Sequence, residues 1–332
     1  MIRLLQLRFG DAGGDDVWRA DEFVLERQSH VLVDGPSGGG RALLLLGHWV
    51  VAALAATLVG LPLARADPIK VVAAESVYGD IAAQIGGAHV TVASILTSPS
   101  QDPHEFEASA ATARAIAAAR IVIYNGADYD PWAARLLSAS PSPARESIEV
   151  AKLAHKQPGD NPHLWYEPAA VSALGEVLAA RLTQLDPERG ADYARGLAAF
   201  EATMGTLRER IAALRAKYAG TAVTATEPVF DYMADALGLV MRNGRFQLAV
   251  MNGTEPGATA IAAFENDLRT RTVKVLLYNR QTSQALAERM RSLAGSVGVP
   301  VVTITETEPP GQSYQEWMLR QLDALERALG ER

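Results

Sequence analysis

Asp186-Pro187-Glu188-Arg189-Gly190-Ala191-Asp192-Tyr193 opens the stretch on which the reading of this chain turns. Proline at the first position of a helix is already set to helical φ and gives up no donor that is needed, so it marks a fresh helical start. Helical sequence then continues to Lys217, about thirty residues, or roughly 45 Å at 1.5 Å per residue. A crossover within one α/β lobe needs less. The length predicts a stiff strut joining two lobes.

The sequence on either side agrees. Upstream, Ile69-Lys70-Val71-Val72-Ala73 reads as a strand, 77–85 as a helix closed by Gly86-Gly87, and 89–96 as a second strand. A helix over 113–119 and the strand Ile121-Val122-Ile123-Tyr124-Asn125 follow, then a strand near Ile148-Glu149-Val150. Downstream the alternation restarts with the strand 221–225, a helix over 228–237, strand-like runs around Val240 and Leu248, and a helix over 258–269. Val273-Lys274-Val275-Leu276-Leu277-Tyr278 has the composition of a buried parallel strand; a helix over 283–293, a strand over 299–304 and a helix over 313–329 complete the set. The fold class is α/β: two lobes, each with a mostly parallel sheet flanked by helices, joined by one long rigid helix. The expected boundaries are 67–185 for the first lobe, 186–218 for the linking helix and 219–332 for the second lobe.

The chemistry sits in a phrase that occurs twice. Asp102-Pro103-His104 and Asn161-Pro162-His163 both place a histidine after a proline in loop-like sequence. Proline fixes its own φ and biases its predecessor toward extended backbone, so the histidine rides on stiff chain. A metal ligand needs that, because ligand distances tolerate only about 0.2 Å of slack. His104 follows a strand and precedes a helix, where open α/β sheets collect ligands. The second lobe offers Glu227 and Glu308, each just past a strand and before proline. An acid there also serves as a helix N-cap or first-turn charge, and Glu306 competes with Glu308. The expected metal ligands are His104, His163, Glu227 and Glu308, around one ion between the lobes. His89 and His155 read as surface residues.

The first 66 residues differ from the rest. Val31-Leu32-Val33-Asp34-Gly35-Pro36-Ser37-Gly38-Gly39-Gly40-Arg41-Ala42 has the outline of a strand and phosphate loop, but Arg41 and Ala42 stand where that loop needs lysine and a hydroxyl. Residues 1–41 thus resemble the opening of an ABC-transporter ATPase cut off at its phosphate loop, and no nucleotide binding is expected. A misplaced start or an upstream gene fusion would explain them. An apolar run over 42–61 leads to Ala64-Arg65-Ala66, an A-x-A cleavage site, so 42–66 reads as a signal peptide cleaved after Ala66, with an uncleaved anchor as the competing reading. The net charge of −7 argues against nucleic acid as a partner, and the absence of cysteine leaves histidine and carboxylates as the only strong ligands.

These segments match a family in order. The body from Ile69 onward resembles the zinc- and manganese-specific solute-binding proteins of bacterial ABC importers. Asp102-Pro103-His104-Glu105-Phe106-Glu107 and Asn161-Pro162-His163-Leu164-Trp165 look like its first two ligand loops. Glu227-Pro228-Val229-Phe230 is similar to its third ligand segment, and Glu308-Pro309-Pro310-Gly311 to the Asp-Pro segment of its fourth. The resemblance implies a monomeric periplasmic protein, not an enzyme, that binds Zn2+ or Mn2+ in the cleft between its lobes. It also implies delivery of the ion to a membrane permease with a cytoplasmic ATPase. Two nitrogens and two carboxylates suit manganese or iron by hardness, and affinity alone favours zinc. The rival from another class is an exported metal-dependent hydrolase using His104, His163 and Glu227 as ligands and Glu308 as base; it would need an open coordination position.

Overall fold

The computed structural model describes residues 2–10, 16–25, 67–100, 102–282 and 284–330. The chain divides into two compact units, Met1–Ala66 and Asp67–Arg332. In the first, strands β1 (Ile2–Gly10) and β2 (Asp16–Leu25) pair antiparallel. The phosphate-loop outline at 31–42, the apolar run and the cleavage site lie outside the described residues. Among the described residues no helix is long and apolar enough to cross a membrane.

The second unit opens with β3 (Ile69–Glu75), α1 (Ser76–Gly86), β4 (Val90–Leu96), α2 (Ala110–Ala118) and β5 (Ile121–Tyr124). Then come α3 (Pro131–Ala139), β6 (Glu146–Glu149), α4 (Val150–Leu153) and α5 (Pro168–Leu185). Strands stand in the order β4-β3-β5-β6, all parallel. The central strands are buried on both faces, as helix-covered parallel sheets must be: β5 is Ile121-Val122-Ile123-Tyr124, with all four residues buried.

After a short turn at Pro187–Arg189, α6 (Gly190–Tyr218) runs for 29 residues, about 44 Å of helix. Its buried residues are Tyr193, Phe200, Met204, Leu207, Ile211 and Leu214. Their spacing of seven, four, three, four and three keeps one stripe facing inward along its whole length. One end of α6 lies so close on α1 that a Cβ at Gly196 would come 2.3 Å from the carbonyl oxygen of Ile85. Its other end is tied to the last helix, Arg210 reaching Glu326 at 2.6 Å and Lys217 reaching the same carboxylate at 2.8 Å.

The second lobe follows with β7 (Ala222–Ala225), α7 (Asp231–Ala236), β8 (Val240–Arg242), α8 (Gly244–Met251) and α9 (Ala258–Arg269). It ends with β9 (Leu276–Asn279), α10 (Ala285–Val297), β10 (Val301–Ile304) and α11 (Tyr314–Gly330). Its order is β10-β9-β7-β8, again all parallel. Two four-stranded parallel sheets flanked by helices and joined by one long helix are the fold class the sequence implies. One local reading is corrected: Leu248 lies on helix α8, not in a strand-like run. Phe246 and Val250, four apart, are both buried against Phe264 and Leu268, a spacing that suits a helix.

One apolar core runs without a break from the first sheet through α6 into β7, β9, β10 and α11; a smaller cluster around Phe246 and Phe264 lies beside it. Polar contacts cross the seam as well. Tyr314 donates its hydroxyl to the Trp165 carbonyl at 2.9 Å, and Tyr166 donates to the Thr305 carbonyl at 2.7 Å. The loops after β4, β5 and α4 in the first lobe meet those after β7, β9 and β10 in the second at this seam.

Candidate metal centre

Both copies of the repeated phrase fold in the same way. Asp102 Oδ1 accepts a hydrogen bond from the backbone N–H of His104 at 3.0 Å, and Asn161 Oδ1 accepts one from that of His163 at 3.1 Å. An acid or amide two residues ahead thus closes a small side-chain turn around the proline, which fixes where the ring starts. The rings themselves differ. His104 rides on the short turn Pro103–Glu105 with its side chain 24% exposed, whereas the His163 side chain is fully buried.

The tautomer of His163 follows from its neighbours. Asn161 donates its Nδ2 to the Pro228 carbonyl at 2.6 Å, so its Oδ1 is the acceptor facing His163 Nδ1 at 2.7 Å. Nδ1 therefore carries the proton and Nε2 presents a lone pair. Burial pushes the His163 pKa down, which keeps the ring neutral. His163 Nε2 is buried with no hydrogen-bond partner, an arrangement that costs stability unless something else takes the lone pair.

What faces that nitrogen is Glu306. Its Oε2 lies 3.3 Å from His163 Nε2 and 3.5 Å from His104 Nε2, and one ligand atom from each of the three residues falls within 4.8 Å of the others. Tyr129 donates its hydroxyl to the same Oε2 at 3.0 Å, and Asn279 donates its Nδ2 to Oε1 at 2.7 Å. Burial alone would push the Glu306 carboxyl up, but the His163 and His104 imidazoles in their protonated forms, and then the Tyr129 hydroxyl, outweigh it and pull the group below the usual carboxylate range. Glu306 is a buried carboxylate facing both rings. Tyr129 and Trp165 wall it, their rings 6.0 and 5.5 Å from that of His163.

Glu227 adjoins this trio. It accepts from Asn279 Nδ2 at 2.5 Å, so one amide bridges the two carboxylates. Burial, with the charge of Glu306 adding to it, pushes Glu227 up to about 7. Glu308 lies elsewhere. It is 4% exposed, its Oε2 has no hydrogen-bond partner, and burial together with the charge of Asp80 pushes it up to about 9. In extended chain residues 306 and 308 would point the same way. A bend at 306–307 prevents that, held by Gln281 Oε1 accepting from the backbone N–H of Glu306 at 2.7 Å and of Thr307 at 3.0 Å. Of the four expected ligands, then, the structure places His104 and His163 together, sets Glu227 one bridging amide away, and puts Glu306 where Glu308 was expected.

Sequence reasoning missed Tyr129, Asn279 and Gln281. Asn279 carried a usable signal, as a polar residue closing the buried run that becomes β9. Tyr129 carried none, since it follows an irregular turn in which Ala127 and Asp128 adopt positive φ. Of the two histidines read as surface residues, His89 is half-buried and bonded to Asp192 at 2.8 Å, and His155 is exposed in a left-handed turn.

Two imidazoles and one or two carboxylates, gathered at the seam between two α/β lobes, are a donor set suited to a divalent cation. Comparison with known proteins narrows that class. The family described as ZnuA, zinc-uptake complex component A, periplasmic, matches residues 71–328, and the chain belongs to it. MtsA of Streptococcus pyogenes serotype M1, an iron ABC transporter substrate-binding lipoprotein, is 23% identical over 318 residues, covering 88% of this chain and 99% of that relative. The fold matches the periplasmic zinc-binding protein TroA from Treponema pallidum with a TM-score of 0.65 at 16% identity, over 80% of this chain and all of TroA. FpvC from Pseudomonas aeruginosa, solved with Mn2+, matches with a TM-score of 0.65 at 22% identity, over 79% of this chain and 98% of FpvC.

Proposed function

We propose that the protein captures one divalent transition-metal ion on His104, His163 and Glu306, with Glu227 as the fourth donor, and hands it to the membrane permease of an ABC importer. The observation that carries this is the buried lone pair of His163 Nε2, fixed in direction by Asn161 and 3.3 Å from an ionised carboxylate. The side chains fit a ligand set: one imidazole is locked in direction by Asn161, and the Glu306 carboxylate faces both rings. Two anionic carboxylates would balance a dication, and an arriving ion displaces the proton that burial favours on Glu227.

Zinc is the preferred ion, because at a nitrogen–oxygen site it outcompetes manganese and ferrous iron. We read the exported chain as a monomer beginning after Ala66, without nucleic acid as a partner and without catalysis. Calorimetric titration with zinc and with manganese tests the reading: one ion per chain, bound tightly, is expected. Absence of binding, or binding that survives loss of both histidines, overturns it. The hydrolase alternative makes the opposite demand, namely phosphatase or peptidase turnover that disappears when the metal is stripped.

A further inference from the structure

We propose that Asn279 limits each carboxylate of the pocket to one coordinating oxygen and so biases the site toward four-coordinate ions; the inference rests on the ligand set just given. Asn279 is the last residue of β9 and only 1% exposed. Every polar atom of the residue's side chain and its backbone N–H are committed. The backbone N–H donates to Thr226 Oγ1 at 3.0 Å, and Oδ1 accepts from the Gln281 backbone N–H at 3.1 Å. That second bond fixes the amide's orientation, so Nδ2 faces the pocket. Its two hydrogens go to Glu306 Oε1 at 2.7 Å and to Glu227 Oε2 at 2.5 Å.

The consequence is geometric. Glu306 is left with Oε2, the oxygen that already faces both histidine Nε2 atoms. Glu227 likewise has Oε2 engaged by the amide, and the Thr282 hydroxyl also hydrogen-bonds that carboxylate. Two imidazole nitrogens and one oxygen from each carboxylate give four donors, the number zinc takes in closed sites. A carboxylate free to swing would offer both oxygens, raising the count toward the six that manganese prefers. A neutral amide can do this where lysine or arginine could not, because a fixed cation beside the carboxylates would repel the incoming ion.

The test compares the unaltered protein with Asn279→Ala and Asn279→Ser, neither of which can bridge the two carboxylates. Cobalt(II) is the first probe, since four-coordinate cobalt gives strong visible bands and five- or six-coordinate cobalt gives weak ones. Competition between zinc and manganese is the second. The unaltered protein is expected to show the strong bands, both variants to lose them, and the preference for zinc over manganese to fall by about tenfold, the scale of second-layer effects on metal sites. Should the alanine variant not fold, as judged by circular dichroism, the serine variant carries both readouts. A variant with unchanged bands and unchanged preference overturns the proposal and leaves Asn279 as packing. An unaltered protein that binds none of the three ions fails differently, by removing the ligand set itself.

Discussion

The loops around His104 and His163 share a phrase, a proline and a side-chain turn, yet they end in different states. At 102–104 the acid holds only the backbone and the ring keeps a face toward solvent. At 161–163 the amide also holds the ring, and through its Nδ2 it reaches Pro228 in the other lobe. One copy is therefore locked in tautomer and direction by both lobes, while the other is only aimed. The repeated motif fixes where a histidine begins, and its surroundings decide how completely it is prepared for an ion. The partly exposed ring lies on the solvent side of the group, and the buried one on its inner side.

Removing either ring tests this contrast at its largest. His163→Ala should lower metal affinity by more than about 100-fold, above the range for losing an outer partner of a ligand. His104→Ala should also weaken binding severely but less, and calorimetry on both would break the contrast if the order were reversed. The partners come next. Asn161→Ala frees the His163 ring and should cost about 10–100-fold in affinity. Asp102→Ala loses only a backbone turn and should cost less than Asn161→Ala in the same titration.

The smallest effect on affinity is expected at Glu308, and it separates the two neighbouring acids. Glu308→Gln should leave metal affinity nearly unchanged, whereas Glu306→Gln should abolish most of it. Glu308 instead governs stability. Burial and then Asp80 raise its carboxyl from 4.5 to about 9 in the folded protein, so the folded state keeps a proton that the unfolded chain gives up above 4.5. The contribution of Glu308 to the stability of the metal-free protein is full below that range and is lost as pH rises toward about 9, by at most about 1.4 kcal/mol per pH unit. Urea melts across neutral pH should show the decline, and Glu308→Gln should flatten it.

Much of this was legible in the chain itself, and particular residues show why. The long helix could be read because Pro187 starts it and because apolar residues recur along one stripe from Tyr193 to Leu214. The parallel sheets could be read from runs such as Ile121-Val122-Ile123, whose burial on both faces dictates their composition. The two histidines could be read because proline makes their placement local. The carboxylates were harder. Whether residue 306 or 308 enters the pocket depends on a bend held by Gln281, some 25 residues away in sequence, and no local pattern encodes it. Leu248 failed in a different way: a short apolar run fits either period, and only packing against Phe264 decides between them.

The unbroken core that crosses α6 carries a last consequence. Because the main apolar mass fills both halves, with only the smaller cluster around Phe246 and Phe264 confined to the second, neither half comes apart without opening the interior of the other. The molecule should melt in a single step, and an ion seated at the seam should raise that one transition as a whole. At a thousandfold excess over the dissociation constant, the gain for a ligand held only by the native form is about 4 kcal/mol. Cargo, in this design, doubles as a rivet.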